Sequence, residues 1–191
     1  MDVVITRAMD VFWTRGYQGT SLPDLLTATG LSRASLYAAF GDKRGLFLNA
    51  LDRYISDSLN QFDGQLAAVE GPIAGLHRFA EGYVMRTWGD AGARGCLLVA
   101  STMELAASDP EVSRRVRAFF DSLEAKLLKV LKAAQKEKML AKSIAPIDAA
   151  RILMATVEGL RVVSKTGFDC HAWRRSIHSL IDMFESEAVH R

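Results

Sequence analysis

The stretch Thr20–Lys43, TSLPDLLTATGLSRASLYAAFGDK, decides how the rest of this chain is read. Leu22, Leu25 and Leu26 recur at helical spacing, Gly30 breaks that helix, and Ser32 opens a second one whose Leu36 and Phe40 share a face. Two short helices joined by a tight turn predict a helix-turn-helix, whose second helix enters the major groove of DNA. On a helical wheel Ala34, Ser35, Tyr37 and Ala38 point away from Leu36 and Phe40, so with the leading Arg33 they form the groove-facing set.

Upstream, Val4, Ile5, Ala8, Val11 and Phe12 predict a first helix that ends near Gly16. Thr20 and Ser21 place hydroxyls where a side-chain oxygen can take up an orphan N–H of the next helix, and Pro23 suits its first turn. Ser32 caps the second helix in the same way. No basic arm precedes the first helix, and a longer natural chain would add DNA contacts at that end.

Downstream the pattern stays helical. A helix from Lys43 carries Leu46, Phe47, Ala50, Leu51, Tyr54, Ile55 and Leu59 along one side, and Pro72 opens another with Ile73, Leu76, Ala80, Tyr83 and Val84 inward. The glycine-rich WGDAGARG, Trp88–Gly95, reads as a loop; a compact helix over 96–107, charged only at Glu104, follows. Asp109 and Pro110 start the longest helix, about 28 residues or roughly 40 Å. One more runs from Pro146 to Gly167, and the last starts after Asp169. No stretch alternates apolar and polar residues, so the expected fold is all-α, with about nine helices: a three-helix DNA-binding head over residues 1–45 and a larger helical domain over 46–191.

The totals limit the function classes. The chain has 191 residues, 49% of them hydrophobic and 24% charged, with a formal net charge of +2. That is enough apolar material for a full core, but any positive surface for DNA must be local. No apolar run reaches the roughly 18–20 residues needed to span a bilayer, and the N-terminus lacks a basic region followed by an apolar one, so a cytoplasmic location is expected. Cys96 and Cys170 match no metal-ligand spacing and are expected as free thiols. His77, His171, His178 and His190 show no ligand cluster along the chain, although His171 and His178 lie seven residues apart on one helical face. A Gly-rich phosphate loop, a Gly-x-Ser-x-Gly elbow and a His-Glu-x-x-His motif are all missing from the sequence, so no enzyme, cofactor or metal is expected.

FWTRGYQGTSL followed by GLSRASLYAAFGDKRGLF resembles the DNA-binding domain of the TetR family of bacterial transcriptional repressors, over roughly residues 3–54. The resemblance implies a homodimer on a palindromic double-stranded operator. Arg33, Ala34 and Ser35 would face bases, Thr20, Tyr37 and Lys43 would contact phosphates, and Ser21 and Ser32 would sit at the helix starts beside the DNA. Many members carry a polar or aromatic residue just before the Phe, where this chain has Ala38 and Ala39, which shifts the expected contact toward Lys43, Arg44 and backbone donors. Arg33 either reads a guanine bidentately or holds a phosphate.

The resemblance also implies that residues 46–191 enclose a small-molecule effector and pair with a second copy. Phe62, Phe79, Tyr83, Met85, Trp88, Met103, Phe120, Met154 and Glu158 are the pocket candidates, with plain core as their other role. Glu158 interrupts an apolar run and needs a partner, either a cationic ligand or an arginine such as Arg161. Gly159, Val163, Trp173, Ile177, Leu180, Ile181 and Phe184 are the expected dimer surface, or else a cap on the monomer core. The function implied is a ligand-released repressor. The alternative, kept open by the low basic charge and by Ala38-Ala39, is a helical adaptor that has lost DNA binding.

Overall fold

The computed structural model describes residues 1–67, 70–88, 92, 94–167 and 169–186, with Cys170 described in its backbone alone. Half of the loop expected over Trp88–Gly95 (residues 89, 90, 91 and 93), the thiol of Cys170 and His190 lie outside the described residues.

Among these residues the chain forms nine α-helices and no strand: α1 (Asp2–Arg15), α2 (Leu22–Thr29), α3 (Arg33–Phe40), α4 (Lys43–Leu66), α5 (Pro72–Met85), α6 (Leu97–Leu105), α7 (Pro110–Lys136), α8 (Pro146–Val163) and α9 (Cys170–Asp182). A short 3₁₀ turn, Ser164–Thr166, follows α8, and one isolated antiparallel bridge joins Leu140 to Glu185. The all-α architecture expected from the sequence is therefore the one observed. Local chemistry sets the helix ends. Pro72, Pro110 and Pro146 each occupy the first position of a helix, where the missing N–H is no loss. Gly30 stops α2 in the left-handed region, at φ 73° and ψ 12°, which a side chain would disfavour.

The helices divide between two compact units, Met1–Ser58 with Cys96–Phe119, and Leu59–Gly95 with Phe120–Arg191. The first unit thus contains more than the 1–45 segment, because α6 and the start of α7 pack into it. Its core is Ala8, Phe12, Leu25, Leu36, Leu46, Phe47 and Leu51, all fully buried. Phe12 meets Phe47 edge-on with ring centroids 5.1 Å apart, and Trp13 meets Tyr54 edge-on at 5.0 Å. In the second unit Phe62, Phe79 and Tyr83 form one aromatic cluster with centroids 5.1–5.3 Å apart. Leu123, Leu127 and Leu131, one stripe of α7, are fully buried in the same unit, as are Leu153 and Val157 of α8. No described helix is long and apolar enough to cross a membrane.

Candidate nucleic-acid interface

The turn between α2 and α3 is built from short-range polar bonds. Ser21 caps α2 in a reciprocal box: its hydroxyl accepts from Asp24 N at 3.3 Å while Asp24 Oδ2 accepts from Ser21 N at 2.9 Å. That geometry, with Arg15 paired to the same carboxylate, holds Asp24 down at about 2, the Ser21 hydroxyl bond contributing most. Ser32 caps α3, accepting from Ser35 N at 3.1 Å, and the two hydroxyls lie 2.8 Å apart. Leu36 plugs into the core with no exposure, which fixes the rotation of α3.

With that rotation set, Arg33, Ala34, Ser35, Tyr37, Ala38 and Ala39 all face solvent. Tyr37 keeps 47% of its surface exposed although it is a large aromatic. The groove-facing set read from the wheel is thus the exposed face of α3. Thr20 lies elsewhere: it is 1% exposed, and its hydroxyl donates to Gly16 O at 2.6 Å, so its side chain faces the protein. The cap fell to Ser21 because only one residue can hold the extended backbone next to the first helical turn.

Lys43 opens α4, and its ammonium lies over the Tyr17 ring at 4.3 Å from the centroid. Burial, with Asp42 nearby, raises the Tyr17 phenol above its ordinary value. Asp42 Oδ1 accepts from Gly45 N at 2.7 Å, so part of this helix start already serves a carboxylate. Arg44, expected to help with phosphate, instead forms a fork on Asp109, Nε to Oδ2 at 2.7 Å and Nη2 to Oδ1 at 2.8 Å. Asp109 is held at about 2, mainly by that arginine, and also caps α7 by accepting from Glu111 N and Val112 N.

Two further links inside the first unit escaped the sequence reading. Glu104 of α6 accepts from the backbone N–H groups of Tyr17 at 2.8 Å and Gln18 at 3.2 Å, in the turn that leads into α2. Arg115 of α7 donates to Asp52 of α4 at 2.7 Å. Charged groups on α6 and α7 therefore grip the turn before α2 and the first half of α4.

In the second unit, Tyr83 donates to Glu158 through a short hydrogen bond, and the other oxygen of Glu158 lies 4.0 Å from Arg161 Nε. The guanidinium groups of Arg86 and Arg161 sit over the Tyr83 ring at 4.9 and 4.3 Å. Glu158 thus has one hydrogen-bond donor in Tyr83, while its other oxygen makes no hydrogen bond to Arg161. Phe62 and Phe79 join this cluster, Phe120 and Met154 are half-buried in the same unit, and Met85 and Trp88 are exposed. Met103 belongs to the first unit and is 82% exposed. Of the expected dimer residues, Ile177, Ile181 and Phe184 are buried within the single chain, Val163, Trp173 and Leu180 are half-buried, and Gly159 is exposed.

A short helix pair with a buried anchor and an exposed second-helix face defines a helix-turn-helix protein. Residues 4–50 match the family model described as bacterial regulatory proteins, tetR family, and residues 72–180 match the tetracyclin repressor-like C-terminal domain. The chain belongs to the TetR family, a family of transcriptional regulators rather than of enzymes. It is 43% identical to the HTH-type transcriptional repressor ComR of Escherichia coli over 72 residues, 38% of this chain and 34% of ComR. It is 34% identical to the uncharacterized HTH-type transcriptional regulator YezE of Bacillus subtilis over 112 residues, 59% of this chain and 58% of YezE. The match thus spans about a third to just over half of these relatives. Among solved structures, a cysteine-substituted TetR family regulator CifR complexed with 26bp double-strand operator DNA superimposes with a TM-score of 0.84 at 27% identity, covering 96% of each chain.

Proposed function

We propose that this protein is a repressor that reads a palindromic operator as a homodimer and is released by a small molecule held in its second unit. The exposed face of α3 carries the reading: a recognition helix anchored by Leu36 and left open at Arg33, Ala34, Ser35 and Tyr37. The likeness to CifR, solved on operator DNA, supports it. Arg33 supplies the base-reading or phosphate-holding charge, while Tyr37 and Lys43 flank it for phosphate. Thr20, facing inward, acts by shaping the turn, and the cap serines Ser21 and Ser32 hold the helix starts.

A second copy would meet a face of α8 that one chain leaves uncovered. Ile152, Ala155, Gly159 and Val162 recur on one side of that helix and are all exposed, Val162 at 55%. Small residues there let two backbones approach, and Val163, Trp173 and Leu180 extend the surface. The effector would bind among Phe62, Phe79, Tyr83 and Glu158, and its message would pass along α4 and α7, each of which has residues in both units. Ligand and DNA would then weaken each other's binding by the same factor.

A shift assay against the DNA flanking the protein's own gene tests this. Retardation of one fragment in the presence of excess competitor supports the regulator. No retardation even at low salt, where phosphate contacts are strongest, would leave a helical adaptor.

A further inference from the structure

Side chains from two separate places in the second unit, α5 and the turn that ends α9, converge. His77 lies on α5, Asp182 is the last residue of α9, and Glu185 follows in the segment bridged to Leu140. His77 Nε2 is 3.3 Å from Asp182 Oδ1 and 3.5 Å from Glu185 Oε1, and one ligand atom from each residue lies within 4.8 Å of the others. A tetrahedral ion with bonds of about 2.0–2.1 Å requires its donors to stand roughly 3.3–3.4 Å apart. One of the three edges has that length and a second, at 3.5 Å, is close to it.

The hydrogen bonds behind His77 give a second reason for a cation here. Its Nδ1 lies 2.6 Å from His178 Nδ1. The ring planes are 12° from parallel with centroids 4.8 Å apart, the distance spanned by that bond plus two ring radii, so the imidazoles lie edge to edge in one plane. His178 Nε2 is 3.1 Å from Glu81 Oε2, which also accepts from Arg174 Nε at 2.7 Å. A carboxylate only accepts, so His178 Nε2 carries the proton. In a neutral His178 the Nδ1 is then the acceptor, and His77 Nδ1–H is the donor. This assignment follows from the chain of bonds. It turns the other nitrogen of the ring, Nε2, toward the two carboxylate oxygens at 3.3 and 3.5 Å, so that all three donor atoms face one small space.

We propose that His77, Asp182 and Glu185 bind one divalent transition-metal ion of the Zn²⁺ class, with water in the fourth position. An imidazole with two carboxylates is a borderline donor set that suits Zn²⁺ better than Mg²⁺ or Ca²⁺, which take oxygen alone. The relay from His77 through His178 to Glu81 is the outer shell that orients a ligating histidine and fixes its tautomer. The ion ties α5 to the end of α9 and to the segment after it. Its residues all belong to the second unit, and the spacing of the histidines gave no sign of it because 101 residues separate His77 from His178.

The test uses the full-length, tag-free protein stripped with a chelator, titrated with Zn²⁺ by calorimetry and with Co²⁺ by visible absorption. The expected result is one ion per chain, intense tetrahedral Co²⁺ bands, and a melting temperature that rises with Zn²⁺ concentration, as ligand linkage requires. His77→Ala abolishes binding, and His178→Ala weakens it by roughly 10–100-fold. Asp182 is half-exposed at a helix end, so Asp182→Asn keeps the fold and still loses the Co²⁺ bands. No saturable one-to-one binding of either ion would overturn the proposal and leave a proton on His77 Nε2, donated to Asp182 and Glu185, in its place. Binding undiminished in Asp182→Asn and His77→Ala would overturn it as well.

Discussion

Replacing Asp109 tests how the first unit is held together. Its Oδ1 accepts from Glu111 N at 3.0 Å and Val112 N at 3.3 Å, capping α7, and both oxygens receive the Arg44 fork. Asp109→Ala removes the cap, a loss of about 1 kcal/mol. It also removes an ion pair whose arginine is 45% exposed and therefore screened, a further loss of about 0.5–1 kcal/mol. The sum is about 1.5–2 kcal/mol, or roughly 3–8 °C in Tm for a chain of this size. Asp109→Asn keeps a good cap acceptor and loses the charge, so its cost is about 0.5–1 kcal/mol. Urea unfolding followed by circular dichroism measures both. Equal losses in the two variants would refute the separate capping contribution, and an Ala variant indistinguishable from wild type would refute both.

Arg33→Ala removes one bidentate base contact if the side chain reads guanine, so discrimination at one operator position falls by about 1–3 kcal/mol while other positions keep theirs; uniform weakening on all sequences, measured by anisotropy with single-base variants, assigns it to phosphate. Asp24 and Asp109, each held at about 2 by Ser21 and Arg44 respectively, lie below the ordinary carboxylate value when folded. Their contribution is complete above about pH 4 and is lost as the pH falls through about 2, so urea midpoints drop across that window and drop less in an Asp24→Asn, Asp109→Asn double variant. Glu104→Gln removes the carboxylate that accepts from Tyr17 N and Gln18 N, and amide exchange at those two residues speeds up while exchange in α8 is unchanged.

The legible parts of the fold were those decided within a few residues. Proline at a first position, Gly30 at a stop and Asp109 before Pro110 place helix ends without reference to the rest of the chain. The exposed face of α3 was legible too, because Leu36 and Phe40 define its opposite side. Long-range partners were not. Arg44 reads as a free cation beside DNA until Asp109, 65 residues away, is brought against it. The same holds for Glu104 and the turn at Tyr17. On α9 the apolar stripe was visible, but periodicity cannot tell whether Ile177 and Ile181 bury against their own chain or a second copy, and here they bury against their own. On α8 the exposed stripe through Ile152 and Val162 depended on which side the core claimed.

The most direct measurement is a titration of a fluorescent operator duplex, found by footprinting, with purified protein at about 150 mM salt, against a scrambled duplex of the same length. A dimeric reader built on the α3 face gives two chains per duplex and a preference for the operator of at least about 10³-fold, which substitution of Arg33, Ser35 and Tyr37 by alanine removes. Equal affinity for the two duplexes, or a preference that survives the triple substitution, would contradict it.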